Sequence, residues 1–486
     1  MNQHRPPRLL LAPSFAALLV AGCASVDPDA RERERIGAAT VAVAAPIQVN
    51  QVGFLPGAAK LAVVPDVATD RFELVDARSG AVVFVGTLGA AATWAPAQAT
   101  VRIADFSAWR TPGAYSLRVE GAADSPPITI AADAYEALDA AALRAFYFQR
   151  ASSALPATFA GAWARAAGHP DDHVLVHASA ASPSRPEGTV ISCPKGWYDA
   201  GDYNKYVVNS GISTYTLLAA WEHFPAHFRA LRVNLPDIGA GLPDVLTETL
   251  WNLEWMLCMQ DPADGGVYHK LTNAGFDGAV MPDAAKAPRY VVAKSTAATL
   301  DFAAVMATAS RVFAGFEAQR PGLSARMRAA AERAWAWARA HPDAVWRDPP
   351  DIHTGGYGDD HLADEFAWAA AELYVTTRDD RYYAAMDAPH LPATVPSWGD
   401  VGGLAWVSLA QHRDALTPAA DRALIASRVT SLADGFVARW RASAWRVSMT
   451  SDDFVWGSNA VALNQALMLV QGYRLTGDRA SLDAAQ

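Results

Sequence analysis

The chain has 486 residues, of which 51% are hydrophobic and 19% charged, and its net charge is -10. That length exceeds one ordinary core and points to two or more domains, while the composition excludes a disordered chain. With no dense Lys/Arg run beyond the extreme N-terminus, the chain lacks the basic footprint that nucleic acid requires. Sixteen Trp and fourteen Tyr are many for this length. Most will pack cores, but their flat faces also suit sugar rings.

Arg5 and Arg8 precede an apolar stretch, Leu9 to Val20, which has the length of a signal-peptide core and is too short to span a bilayer. It ends in Val20-Ala21-Gly22-Cys23, which resembles the lipobox of bacterial lipoproteins, in which the Cys is lipidated. Residues 1–22 are therefore expected to be a lipoprotein signal peptide and residues 23–46 a tether. Ala24 after the Cys favours an outer-membrane anchor in a bacterial cell envelope. The alternatives are plain signal cleavage and secretion. Lipid is then the only membrane contact, and a monomer is expected. Export permits a disulfide between Cys193 and Cys258, but nothing in the spacing demands one, so two buried free thiols are the default.

From Ile47 the pattern is that of strands. Lys60–Val64 is a short β run, Phe72–Val75 and Ala81–Val85 flank a turn, and Ala114–Val119 alternates apolar and polar residues. Short strands at this spacing predict a β-sandwich over residues 47–132. The remainder, 133–486, carries helical periodicity at Ala137–Leu155, Thr214–Phe224, Pro243–Met259, Ser295–Phe313, Gly322–Ala340, Asp364–Thr376, Gly403–His412, Ala419–Arg441 and Trp456–Thr476. Loops of unequal length join these helices, and an all-α closed array is the simplest architecture.

Asp199-Ala200-Gly201-Asp202 places two carboxylates three residues apart around a small pair, with Gly201 expected to let the backbone turn tightly. One reading makes Asp202 the cap of a following helix and Asp199 a turn residue. The other has the two acids share a water, one removing its proton and the other orienting it. Inverting glycosidases need such a base, set roughly 6.5–9.5 Å from a general acid to admit the water.

The longer string Gly196-Trp197-Tyr198-Asp199-Ala200-Gly201-Asp202-Tyr203-Asn204-Lys205-Tyr206 resembles the signature of glycoside hydrolase family 9, mostly endoglucanases on an (α/α)6 toroid. Val49-Asn50-Gln51-Val52-Gly53-Phe54 is similar to the start of the immunoglobulin-like domain that many members carry. Phe146–Arg150, Val267–Lys270 and Trp456–Asn459 look like later family blocks in order. The resemblance implies hydrolysis of β-1,4-glucosidic bonds in cellulose or related glucans, with Asp202 as general base and Asp199 orienting the water. It makes His269 a sugar-contacting residue and Trp456 a wall of the cleft, with a core position the alternative for Trp456. It also implies a structural calcium held by Thr354, Gly355, Asp364, Glu365 and Asp400, against a solvated acidic loop as the alternative. Some relatives hold zinc where this chain has Ala151, Asp172, His173 and Tyr198, so no zinc is expected.

The family continues with a general-acid Glu in an Asn-Glu context before a closing helix. This sequence contains no Asn-Glu pair. The expectation is a toroid lacking its last helices, with the acid absent from these residues. Glu248, Glu254, Glu365 and Glu372 offer no persuasive substitute. Two other readings compete with endo-hydrolysis: exo-action on cello- or chito-oligosaccharides, and an inactive surface lipoprotein that binds glycan.

Overall fold

The computed structural model describes residues 46–236 and 241–486. Cys23, with the expected signal peptide and nearly all of the tether, lies outside the described residues.

The first domain is the expected sandwich. Strands β1 (Leu61–Pro65), β5 (Ala99–Asp105) and β4 (Ala92–Trp94) form one sheet in the order β1-β5-β4. Strands β3 (Val82–Thr87), β2 (Arg71–Asp76), β6 (Gly113–Arg118) and β7 (Ile128–Ile130) form the other in the order β3-β2-β6-β7. All pairings in both sheets are antiparallel. Alternation puts Ala62, Val64, Phe72, Leu74, Leu117, Ile128 and Ile130 into one buried core between the sheets. Gly86 is required here, because a Cβ would lie 2.2 Å from the Phe72 ring. The Tyr115 hydroxyl donates to the Thr111 carbonyl at 3.0 Å, the tyrosine-corner bond of immunoglobulin-like sandwiches. The sandwich meets the helical domain through Trp94, whose ring lies 5.5 Å from Trp445 and 5.8 Å from Phe454.

The helical domain runs α1 (Glu136–Phe148), α2 (Val207–His223), α3 (Asp244–Met259), α4 (Thr296–Phe313), α5 (Leu323–Ala340), α6 (Ala363–Thr377), α7 (Gly402–Gln411), α8 (Arg422–Ala442), α9 (Ser458–Thr476) and α10 (Arg479–Ala485). Helices α2, α4, α6, α7 and α9 neighbour one another in that order as an inner wall, and α3, α5, α8 and α10 pack outside them, an (α/α)6-type barrel. Small residues let α4 be enclosed on nearly every side, whereas α5 and α8 keep polar faces in water.

Three details correct the sequence reading. Helix α1 stops at Phe148 instead of continuing to Leu155, because Arg150 bridges to Trp197. Helix α2 begins at Val207, well before Thr214, with Tyr206 as its N-cap and no side-chain cap, so Asp202 is not a capping residue. A five-stranded sheet also went unforeseen: β10 (Lys205–Tyr206), β11 (Lys270–Thr272), β12 (Tyr290–Val291), β8 (Val174–Val176) and β9 (Val190–Ile191), adjacent in that order. Its strands are too short to show a period of two.

Cys193 and Cys258 are not free thiols but form a disulfide. It ties the segment before the two-carboxylate loop to the end of α3, closing a loop of 65 residues. Thiol titration of the unreduced, folded protein should find neither cysteine reactive. The Cys193→Ser/Cys258→Ser protein should be less stable to denaturant by about 2–5 kcal/mol.

Candidate active site

The loop from Gly196 to Asn204 has no regular structure, so side chains must fix it. Gly196 sits at φ +81°, and a Cβ there would lie 2.8 Å from the Trp255 ring, so only glycine lets the loop pass. The Trp197 amide donates to Asn252 Oδ1 at 3.1 Å and its indole to Glu248 Oε1 at 2.8 Å. The Tyr198 hydroxyl pairs with His169 Nδ1 at 2.9 Å. These residues anchor the loop, and the acids follow. Gly201 was expected to turn the backbone, yet its φ is not positive, and a Cβ there would meet nothing within 4 Å.

The two acids are held differently. Asp199 accepts the Tyr357 hydroxyl at Oδ2 (2.8 Å) and the Asn209 amide at Oδ1. Burial, with the charge of Asp202 beside it, pushes its carboxyl above the usual range despite these donors. Asp202 accepts both the Tyr206 hydroxyl and the Asn204 amide at Oδ2, each at 2.8 Å. Among the described residues, no donor reaches its Oδ1. One carboxylate is thus satisfied at both oxygens, and the other keeps one oxygen for an incoming molecule.

A buried ionic layer supports the loop from behind. Asp171, almost wholly buried, pairs with Lys205 at 2.7 Å and with Arg289 at 2.9 Å. Arg289 also donates to the Tyr203 carbonyl (2.6 Å) and to Asn273 Oδ1 (3.0 Å). The Asn273 amide donates to Asn204 Oδ1 at 2.9 Å, which brings the chain of bonds back to Asp202.

His269 is placed differently from expectation. Its ring is fully buried and stacked on Trp346 at 4.3 Å, with Nδ1 against Ser295 Oγ (2.8 Å) and Nε2 against the Gly356 carbonyl (2.7 Å). Both ring nitrogens are therefore used within the protein. The buried side chain holds the Gly355–Tyr357 loop through the Gly356 carbonyl and leaves no ring atom exposed to meet a sugar. Lys270 beside it gives its ammonium to the Gly355 carbonyl (2.7 Å) and to Asp348 (2.6 Å). Trp456 is 99% exposed among the described residues. Trp398, not anticipated from the sequence, is 44% exposed and stands edge-on at 5.1 Å to Tyr357, the partner of Asp199.

The expected calcium residues divide into two groups. Thr354 pairs its hydroxyl with Thr272 (2.7 Å), and the Gly355 carbonyl is taken by Lys270, so neither joins the acids. Asp364, Glu365 and Asp400 do come together, joined by Asp301 and Asp359, which repel them electrostatically. Asp301 and Glu365 are buried, and both Asp301 oxygens and Glu365 Oε2 lack any hydrogen-bond partner. Burial first, and then the neighbouring acids, pushes both carboxyls far up. Orphaned buried carboxylate oxygens are costly, and an all-oxygen set of this kind suits a hard divalent cation.

Four glutamates have partners elsewhere. Glu248 pairs with buried Arg150, Glu254 with Lys195, and Glu372 with Arg311, while Glu365 belongs to the acid cluster. None of them is free to face Asp202.

Comparison with known proteins agrees with this geometry. Residues 135–486 match the family described as glycosyl hydrolase family 9, and residues 42–124 match the cellulase N-terminal ig-like domain. The chain is 44% identical over 449 residues to a xyloglucan-specific endo-beta-1,4-glucanase of Bacteroides ovatus, covering 89% of this chain and 75% of that protein. It is 29% identical over 448 residues to endoglucanase D of Acetivibrio thermocellus, covering 90% and 69%. A solved Bacteroides ovatus GH9 structure superposes with a TM-score of 0.86 at 42% identity, covering 90% of this chain and 82% of that one.

Burial, with its effect on the charged form foremost, lowers the His269 pKa to about 3. The imidazole is therefore neutral throughout the working range. Its ring resonances, assigned through His269→Gln, should show no titration between about pH 5 and pH 8, where an ordinary histidine would titrate.

Proposed function

The chain belongs to glycosyl hydrolase family 9, and from that premise we propose that it cuts β-1,4-glucosidic bonds within glucan chains with inversion, using Asp202 as general base. The observation that carries this reading is the asymmetry of the two acids. Among the described residues, Asp202 Oδ1 alone of these four oxygens has no donor, while Asp202 Oδ2 and both Asp199 oxygens are occupied.

A water between the acids gives a proton to Asp202 Oδ1 as its oxygen attacks the anomeric carbon. The bond from that carbon to the leaving oxygen breaks on the opposite face. The leaving oxygen then takes a proton from a general-acid carboxyl, a role that none of Glu248, Glu254, Glu365 and Glu372 is placed to fill. Asp199, pinned by Tyr357 and Asn209, orients the water. Trp398 and Trp456 offer indole faces for sugar rings.

The base can be tested apart from the acid with β-cellobiosyl fluoride, whose fluoride leaves without protonation. Wild-type protein should release the α-anomer first, seen by NMR, and Asp202→Asn should lose about 10²–10⁴-fold in rate. Retained activity in that variant would reject the base assignment. Xyloglucan and carboxymethylcellulose are the polymers to compare.

We further propose that the acid cluster holds calcium through Asp364, Glu365 and Asp400 with Asp301 and Asp359, as a structural ion. When bound, calcium compensates the buried negative charge and fixes the start of α6 relative to the Asp400 loop. Chelation should lower the melting temperature, and calcium at about 100 times its Kd should restore about 2.7 kcal/mol. Asp301→Asn should abolish that difference. Cys23 is proposed as a lipid attachment point holding the enzyme at the cell envelope, on the strength of the sequence before it.

A further inference from the structure

We propose that Tyr206 is a positioning residue that holds Asp202 Oδ2, so that only Oδ1 is offered to the attacking water. The inference rests on the reading of Asp202 as the base.

A phenol has one proton, and the direction of that proton decides what the group can do. The Gly355 amide donates to the Tyr206 oxygen at 3.0 Å, which occupies a lone pair. The hydroxyl proton is directed to Asp202 Oδ2 at 2.8 Å. The Gly355 end of this relay is itself held. Lys270 grips the Gly355 carbonyl and His269 the Gly356 carbonyl. The same short loop carries Tyr357, which binds Asp199 and lies 4.7 Å from the Tyr206 ring. Both carboxylates are thus registered against one loop, each by a tyrosine.

Tyr206 is placed for this by two elements. It is the last residue of β10, whose register against β11 sets Tyr206 opposite Lys270, and it is the N-cap of α2. The ring is 1% exposed, and the Lys270 ammonium lies 5.7 Å from its centroid. Neither the strand nor the helix start can shift without moving the hydroxyl. Burial, with Asp202 beside it, raises the phenol above its ordinary range, so it remains a donor at any working pH. A hydrogen bond to a charged carboxylate in a partly buried site is strong and directional.

The test is Tyr206→Phe assayed on β-cellobiosyl fluoride, with Tyr374→Phe as control. Tyr374 is also buried, but its hydroxyl pairs with Thr417, away from the acids. The Tyr206→Phe protein should keep KM within about twofold while kcat falls about tenfold, the loss of one bond to a charged group. Tyr374→Phe should leave kcat unchanged. A Tyr206→Phe protein with wild-type kcat would overturn the proposal. So would one that lost its circular dichroism spectrum, since the residue would then serve the fold. If Asp202→Asn retained activity, the base assignment would fail whatever Tyr206→Phe showed, so the two failures are distinguishable.

Discussion

Two carboxylates three residues apart on an irregular loop repel each other and are costly to bury, and the surrounding structure answers that constraint. Asp199 and Asp202 receive donors from four side chains, Asn204, Tyr206, Asn209 and Tyr357, which come from the loop itself, the start of α2 and a distant loop. Regular structure cannot supply such donors, because its backbone groups are already paired with one another. The side chains have to be anchored, and the ionic layer of Asp171, Lys205 and Arg289 does this from below. Removing one member of such a buried set would leave the others uncompensated, so the layer holds the loop as a unit.

Much of this was legible in the sequence, for a physical reason. The sandwich and the long helices announce themselves by period, since burying one face of a repeating element imposes a repeating pattern. The two acids were visible because their chemistry requires their proximity, and proximity along the chain is what a sequence displays. Tyr357 could not be found this way: it meets Asp199 across 158 positions, and its loop reads equally well as a solvated acidic bend. The two-residue strands β9, β10 and β12 were equally hidden, because they are shorter than any period. The disulfide depended on the fold bringing two ends together, which spacing does not report.

His269 shows how a correct neighbourhood can hide a wrong contact. The Tyr268-His269-Lys270 block does stand by the site, but the chain entering β11 turns His269 inward behind the Gly355–Tyr357 loop. A polar residue in a polar stretch was expected to face ligand. Its two nitrogens face a serine that also caps α4 and a backbone carbonyl of the loop above. The calcium residues carry the same lesson. Thr354 and Gly355 lie in the right loop but are drawn to Thr272 and Lys270, while Asp301, on a helix far off in sequence, supplies two of the three orphaned oxygens.

These arrangements converge on the segment from Thr354 to Glu365. Its first half is gripped by His269 and Lys270 and delivers Tyr357 to Asp199 and an amide to Tyr206. Its second half contributes Asp359, Asp364 and Glu365 to the acid cluster. One end therefore sets the geometry of the Asp199 and Asp202 carboxylates, and the other lies among buried carboxylate oxygens that lack hydrogen-bond partners. A loop that must stay ordered next to its own repulsion needs anchors at both ends. His269 and Lys270, at the entry to β11, anchor the first, and the all-oxygen acid cluster is the place where a cation would anchor the second.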